Sequence, residues 1–393
     1  MTESDEDTLR MTPRAITGLG ICSAIGIGRE AFFEALRSPT LLRDRKPELI
    51  VSFDAAKYPG AALAEVPDFD ATKYLGDKGL RTLDRLTKLL VVASRLALHD
   101  AGLKRDGVFV TSSADRVGVV CSNAYGSLEA ITEMNRIAVL EDARYINPAK
   151  FPNTVANSAS GYASIWEDLR ALNVAISDGN CGALDAVACA DIYLDNGRAD
   201  ALLVGCAESA SEAIFLAFQR LGMIEAGTLL GAGAALLALE GVEFAKARGK
   251  ESLATMLGCS ARFFANDQSR QMTYASDTAM EAATRDALEQ AGVTAASVDL
   301  VVTGCAGLRP FDVAEIGGVE RVIGSGKAYA APKRILGETL GAGGAMGMAA
   351  ALAYLQGIPP TPLEQGAAPR EVKTVLVTAL GYYGNATCVV MRR

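Results

Sequence analysis

Eight cysteines and a single histidine are the residues of this chain best suited to nucleophilic or metal chemistry. The cysteines are Cys22, Cys121, Cys181, Cys189, Cys206, Cys259, Cys305 and Cys388. None belongs to a C-x-x-C pair, and one histidine adds little, so no metal site is expected. Most of the thiols lie in apolar runs, where cysteine behaves as a small hydrophobe. His99 sits in the run Arg95-Leu-Ala-Leu-His-Asp-Ala-Gly102, at the polar end of an amphipathic helix, which suits a solvated side chain. A mechanism needing two imidazoles in one pocket is therefore excluded within one chain. Histidine is the usual proton carrier near neutral pH, so the default acid–base group is missing.

The elements that must position these residues alternate. Short apolar runs predict strands at Ala15–Ile21, Arg116–Cys121, Val174–Ser177, Ala201–Ala207 and Ala234–Leu239. A second set covers Ala254–Cys259, Val298–Thr303, Ala328–Ala331, Val375–Leu380 and Thr387–Met391. Helical periodicity covers Leu83–Ala101, Cys181–Asn196, Asp277–Ala291, Val313–Val322 and Ala342–Gln356. Such alternation predicts an α/β fold with helices packed on sheets, and the many Gly and Ala residues suit close packing between them. The net charge of -8 argues against nucleic acid, whose phosphates need a basic face. There is no polybasic run for an anionic membrane and no long, clean apolar span. The acidic opening Met1-Thr-Glu-Ser-Asp-Glu-Asp7 is unlike a signal peptide, so a reduced, cytoplasmic location is expected.

One segment is echoed. Ala93–Leu103 matches Ala283–Val293 at six of eleven positions, each copy ending a helix with Gly and each soon followed by a strand. Two halves of similar plan are the economical explanation. The expected division is an acidic, disordered 1–14, a first half 15–250 and a second half 251–393, with the polar stretch Ala245–Glu251 at the seam.

Five pieces in order carry a resemblance. They are Ala15-Ile-Thr-Gly-Leu-Gly-Ile-Cys-Ser-Ala-Ile-Gly26, Phe151-Pro-Asn-Thr-Val-Ala-Asn-Ser-Ala-Ser-Gly161 and Arg198-Ala-Asp-Ala-Leu-Leu-Val-Gly205, then Lys333-Arg-Ile-Leu-Gly-Glu-Thr-Leu-Gly-Ala-Gly-Gly344 and Ile358-Pro-Pro-Thr361. Over nearly its whole length the chain resembles the β-ketoacyl synthases. That resemblance implies a thiolase fold of two pseudo-repeated halves in a layered α-β-α-β-α arrangement. It also implies a cysteine nucleophile at a buried helix N-terminus, where the free N–H groups favour thiolate and oxyanion, and two histidines.

At those positions the sequence departs from the family. Seven residues after Asn173, and eighteen before Arg198, stands Asn180 where the resemblance places the cysteine. The plainer role for Asn180 is the N-cap of the helix that follows. The neighbouring Cys181 is turned about 100° away on a helix and reads as a core thiol, with an acyl-accepting nucleophile as the rival reading. Gly304, in Gly304-Cys-Ala-Gly-Leu-Arg-Pro-Phe-Asp312, stands for the first histidine, and Glu338, after Lys333-Arg-Ile-Leu-Gly337, for the second. A Lys333–Glu338 ion pair is expected, and Glu338 as a general base is the lesser alternative. In Gly381-Tyr-Tyr-Gly-Asn385, Tyr382 and Tyr383 are expected to fill space that glycines leave open in the family.

Changed catalytic positions in an intact frame resemble the chain-length-factor branch, the ketosynthase β-subunits, whose helix motif is similar to Asn180-Cys-Gly-Ala-Leu-Asp-Ala186. The resemblance implies no cofactor and no intrinsic condensation. The implied partner is an active ketosynthase in a heterodimer, with acyl carrier protein engaged indirectly, in type II polyketide, polyene or fatty-acid-like synthesis. Val174 and Ile176 would lie in the strand pairing with the partner. Tyr145, Phe151, Tyr162 and Trp166 are the expected tunnel or interface side chains. An atypical acyltransferase or condensing enzyme using Cys181 is the alternative, and decarboxylation supported by Asn180 a third.

Overall fold

A computed structural model of the chain describes residues 10–45, 50–223, 229–265 and 273–393. Strands of three or more residues are β1 (Arg14–Ser23), β2 (Val117–Ser122), β3 (Asn173–Ile176), β4 (Ala201–Glu208), β5 (Gly233–Gly241), β6 (Ala254–Phe263), β7 (Leu300–Val302), β8 (Ala328–Ala330), β9 (Leu363–Gln365), β10 (Thr374–Leu380) and β11 (Asn385–Arg392). The longer helices are α1 (Arg29–Arg37), α2 (Arg85–Asp100), α3 (Leu128–Ile137), α4 (Ser158–Glu167), α5 (Gly182–Asp195), α6 (Glu212–Leu221), α7 (Asp277–Ala291), α8 (Arg309–Ile323) and α9 (Gly343–Leu355). Each predicted strand and helix is present, the helix Asp277–Ala291 with the expected ends and the others with one or both ends shifted. α1, α3, α4 and α6 were not anticipated, being short and interrupted by Gly, Ser or charged residues.

The strands run in the order β9-β8-β7-β10-β11-β6-β1-β5-β4-β2-β3. From the middle outward, β1, β5 and β4 alternate antiparallel, and β2 and β3 then add in parallel. On the other side β6, β11 and β10 alternate antiparallel, and β7 and β8 add in parallel. Both halves therefore carry one plan, joined where Arg14–Ile16 pairs with Ala254–Met256. The repeat reaches the details. β1 slips register between Ile16 and Gly18, and β6 between Met256 and Gly258. Gly102 and Gly292 both take left-handed φ, and the Leu103 and Val293 amides reach back to the Leu98 and Leu288 carbonyls, each at 3.0 Å. The echoed segments are thus equivalent helix ends with the same cap.

Side-chain alternation along the strands sorts the core into layers. Val117, Val119 and Cys121 face α2, while Val120 faces the centre with Val302, Val377 and Val389 from the other half. α5 and α9 lie in that central layer, and α9, Gly343–Leu355, is buried on every side. A helix apolar all round belongs between two sheet layers. α7 and α8 cover the far face with Val301, Leu376 and Val390. The result is the layered α-β-α-β-α thiolase arrangement. Residues 1–9 of the anticipated acidic tail lie outside the described residues. Residues 10–14 are ordered, contrary to expectation: the Met11 amide donates to the Gln290 carbonyl at 3.1 Å, and Arg14 already opens β1.

The outer helices touch the sheet backbone to backbone. A Cβ on Gly18 would lie 2.5 Å from the Ala101 nitrogen, and one on Gly20 or Gly258 would press into the Ala93 or Ala287 carbonyl oxygen. Gly161, inside α4, meets nothing within 4 Å. Gly20→Ala should therefore destabilise the chain by about 3 kcal/mol through overpacking. Gly161→Ala should stabilise the isolated chain by about 0.5–1 kcal/mol. Urea unfolding midpoints of the two variants should move in opposite directions.

Candidate functional site

Asn180 lies in a 3-10 turn, Gly179–Cys181, that runs straight into α5. It is buried, 4% exposed, and its Oδ1 has no hydrogen-bond partner among the described residues. The expected capping role fails: α5 starts at Gly182, so Cys181 holds the cap position, and no side chain caps the helix. Asn180 stands one residue too early. Cys181 is fully buried and directs its Sγ at the Ala379 carbonyl, 3.4 Å away. Burial, helped by the charges of Asp185 and Asp178, pushes its thiol well above the usual range. The thiolate that a nucleophile requires is thereby disfavoured.

The Lys333 ammonium donates to both Glu338 oxygens, at 2.8 and 3.0 Å, with both side chains buried. Glu338 Oε1 also accepts the Leu340 amide at 2.8 Å. That contact holds Leu340 at φ 51, in the left-handed region where a branched side chain is strained. The Glu338 backbone is fixed as well, its N–H to Leu229 and its carbonyl from Gly231. Its carboxylate is thus held by Lys333 and the Leu340 amide together.

Gly304 opens the loop before α8. Its amide donates to Glu315 Oε1 at 2.7 Å, and a Cβ placed there would sit 3.3 Å from Glu315 Oε2. Glu315 also accepts the Thr378 hydroxyl at 2.6 Å. Burial raises its carboxyl, opposed by Thr378, the Gly304 amide and Lys333. One turn earlier Asp312 accepts the Ala306 and Gly307 amides at 3.1 and 2.9 Å. The sequence reading missed Glu315. Its signal was the i, i+3 spacing from Asp312, which puts two acids on one helix face beneath a glycine-containing loop whose amides need acceptors.

Tyr382 is buried beside these residues. Its ring lies 4.9 Å from Phe311 and 6.1 Å from Phe218, centroid to centroid. Burial and the Glu338 charge push its phenol well above the usual tyrosine range, while Asn180 acts the other way, so the hydroxyl adjoins both. Tyr383 departs from expectation. It is 43% exposed, and its hydroxyl meets that of Tyr125 at 3.1 Å at the surface. The turn is short and bounded by Gly381 and Gly384, so consecutive side chains leave on opposite sides. The structure thus gathers Asn180, Glu338, Lys333 and Tyr382, with Gly304 joined through Glu315. His99 is exposed at the end of α2.

The expected interface residues separate into two groups. β3 pairs only with β2 among the described residues and ends the sheet, with Val174 and Ile176 half-buried. Tyr145 and Phe151 are exposed, whereas Tyr162 and Trp166 turn toward this chain's own core, Trp166 over Gly79. On the same segment stand Val139, Leu140 and Ile165, 71%, 73% and 76% exposed, none of them anticipated. Ile165 was legible: α4 buries Ala159 and Ala163, and the helical period puts Ile165 on the other face. Among the described residues no group of three His, Cys, Asp or Glu could hold a metal, and no helix is long and apolar enough to cross a membrane.

Comparison with known proteins gives one answer along the chain. Residues 11–235 match the family described as Beta-ketoacyl synthase, N-terminal domain, and residues 253–362 its C-terminal domain. A 3-oxoacyl-[acyl-carrier-protein] synthase 2 of Vibrio harveyi is 30% identical, over 84% of this chain and 83% of its own length. The tetracenomycin polyketide synthase ketoacyl synthase beta subunit of Streptomyces glaucescens is also 30% identical, over 97% of this chain and 98% of its own. The ishigamide ketosynthase/chain length factor has the same fold, with TM-score 0.86 at 22% identity over 97% of this chain and 99% of that one. A β-ketoacyl synthase of Burkholderia phymatum STM815 superposes with TM-score 0.84 at 24% identity over 98% and 100%.

Removing one partner of the buried pair should be severe. Glu338→Ala leaves Lys333 charged and alone, a loss of about 3–5 kcal/mol. Adding Lys333→Met should recover most of it. Chemical unfolding of the two single variants and the double variant checks the coupling, and additive losses would contradict it.

Proposed function

This chain belongs to the β-ketoacyl synthase family, and from that premise we propose that it is a chain-length-factor-like subunit, without condensing activity of its own, that pairs with an active ketosynthase in type II polyketide-like synthesis. The carrying observation is the buried cluster of Asn180, the Lys333–Glu338 pair and Tyr382, with Gly304 joined to it through Glu315. Condensation needs an acyl-bearing nucleophile and groups to stabilise a carbanion. An amide holds no thioester, Cys181 is held as a neutral thiol, and Glu338 is spent on Lys333 and Leu340. The tetracenomycin β-subunit, similar over nearly the full length, supports the branch.

In this reading β3, which ends the sheet, pairs with the equivalent strand of the ketosynthase across a pseudo-twofold axis. An unpaired edge seeks another strand, and unlike subunits of one fold reuse a two-fold surface. The exposed Val139, Leu140, Tyr145, Phe151 and Ile165 flank that edge in sequence and supply apolar contact. Tyr145 and Phe151 stand out far enough to shape an acyl tunnel in the partner. Tyr162 and Trp166 back them from inside.

Co-expression with a ketosynthase carrying its Cys-His-His set tests this. The purified chain alone, given malonyl- and acyl-loaded carrier protein, should form no carbon–carbon bond, and the pair should. Ile165→Asp should weaken the complex at least tenfold by native mass measurement, and Phe151→Ala should shift products toward longer chains. Sustained condensation by the lone chain, lost in Cys181→Ala, would establish the enzyme reading instead.

A further inference from the structure

Two adjoining cavities open on the first half of the molecule, where the chain enters α2. Their volumes are about 720 and 580 Å³, and Val51, Phe69, Asp70 and Arg85 line both, so they form one groove. That is the size of a small-molecule site. Its floor is apolar, with Val66, Phe69 and Leu80. Its rim is basic. Arg81, Arg85 and Lys88 follow one another at helical spacing from the turn Leu80–Thr82 into α2, and Lys73 comes from the short helix Thr72–Leu75.

The charges in the groove are unequally committed. Buried Glu65 accepts the Val51 and Ser52 amides, the Ser52 hydroxyl and Arg85 Nη2, the last at 3.0 Å. Asp70 accepts the Thr72 amide and hydroxyl at 3.0 and 2.7 Å, and Thr72 first, then Lys73, holds its carboxyl below the ordinary range. Among the described residues Asp68, Arg81 and Lys88 form no hydrogen bond or ion pair. Arg85 lies over the Phe69 ring, 5.5 Å from its centroid, and its Nε is buried with no hydrogen-bond partner among the described residues. A buried donor without an acceptor is costly. The start of α2 is already capped by Asp84, which accepts the Thr87 amide at 2.8 Å, so the positive character left over belongs to side chains.

We propose that this groove binds a free aliphatic carboxylic acid, its chain lying on Val66, Phe69 and Leu80 and its carboxylate taken by Arg81, Arg85 and Lys88. A basic rim over an apolar floor fits a ligand with one anionic end and an apolar body. A hydrophilic anion would leave the floor unused, and a neutral chain would leave Arg81 and Lys88 unanswered. Arginine suits the head group because its fork can hold both carboxylate oxygens. The groove shares no lining residue with the buried cluster of Asn180, Lys333, Glu338 and Tyr382. Hydrolysis of the acyl chains handled in the proposed synthesis would supply such acids, and only that source rests on the reading of the chain as a ketosynthase subunit.

Isothermal titration calorimetry of the full chain with hexanoate, octanoate and decanoate tests this, with acetate and octanol as controls. Binding should saturate at one acid per chain and tighten roughly threefold per added methylene, as burial of the chain requires. Acetate should give no heat of binding, and octanol should bind about tenfold more weakly than octanoate. Arg81→Glu combined with Lys88→Glu should weaken decanoate about tenfold or more while the melting temperature stays within the wild-type range. Absence of saturable decanoate binding, equal binding of octanol and octanoate, or binding that charge reversal leaves unchanged overturns the proposal. If the double variant does not fold, Arg81→Gln with Lys88→Gln takes its place, with the same expectations. If the chain purifies only with its ketosynthase, wild-type and variant complexes are compared, so that acid held by the other subunit cancels. Failure of the heterodimer reading leaves these outcomes untouched, because each is read on this chain.

Discussion

A helix enclosed between two sheets has nowhere to solvate its first amides, and this constraint on α9 organises the buried cluster around Glu338. The turn entering α9 receives two carboxylates. Glu338 accepts the Leu340 amide, and Glu208 accepts the Gly341 amide together with those of Ala124 and Tyr125. Negative charge at a helix start is favourable. Two carboxylates in an apolar layer are costly unless they are answered, and Lys333 answers one. Three backbone amides answer the other, although burial still pushes Glu208 up to about 7.

The same logic explains which parts of the molecule the sequence disclosed. The two counts that meet at Asn180 span regular elements, where residue number converts directly into position. The Lys333–Glu338 pair spans one short turn, so local spacing identified it. The two helix-ending glycines exposed the repeat because a left-handed cap has few solutions. Contacts across elements far apart in the chain were not legible. Phe218, Phe311 and Tyr382 come from α6, α8 and the turn between β10 and β11, and only the fold brings their rings together. The capping role given to Asn180 failed by a single residue, because a 3-10 turn absorbed the step before α5.

Repetition sharpens the contrast between the two halves. α5 and α9 occupy equivalent places in the central layer, each entered through a 3-10 turn. One start is closed by carboxylates. At the other, Asn180 Oδ1 has no partner among the described residues beside the Tyr382 phenol. The acids near that second start, Asp178 and Asp185, are received by Asn385 and Thr387 of β11.

Placing a cysteine at 180 and imidazoles at 304 and 338 would mean more than exchanging three side chains. An imidazole at position 338 would deprive Lys333 of its counter-ion and the strained Leu340 of its hydrogen-bond acceptor. A side chain at 304 would crowd Glu315, which the Gly304 amide and Thr378 already hold. A cysteine at 180 would face the Tyr382 phenol and, past it, the Glu338 charge, which opposes thiolate formation. Positions 304 and 338 each carry a bond the fold uses, and position 180 is closed in by Tyr382. The frame and these residues therefore support one another.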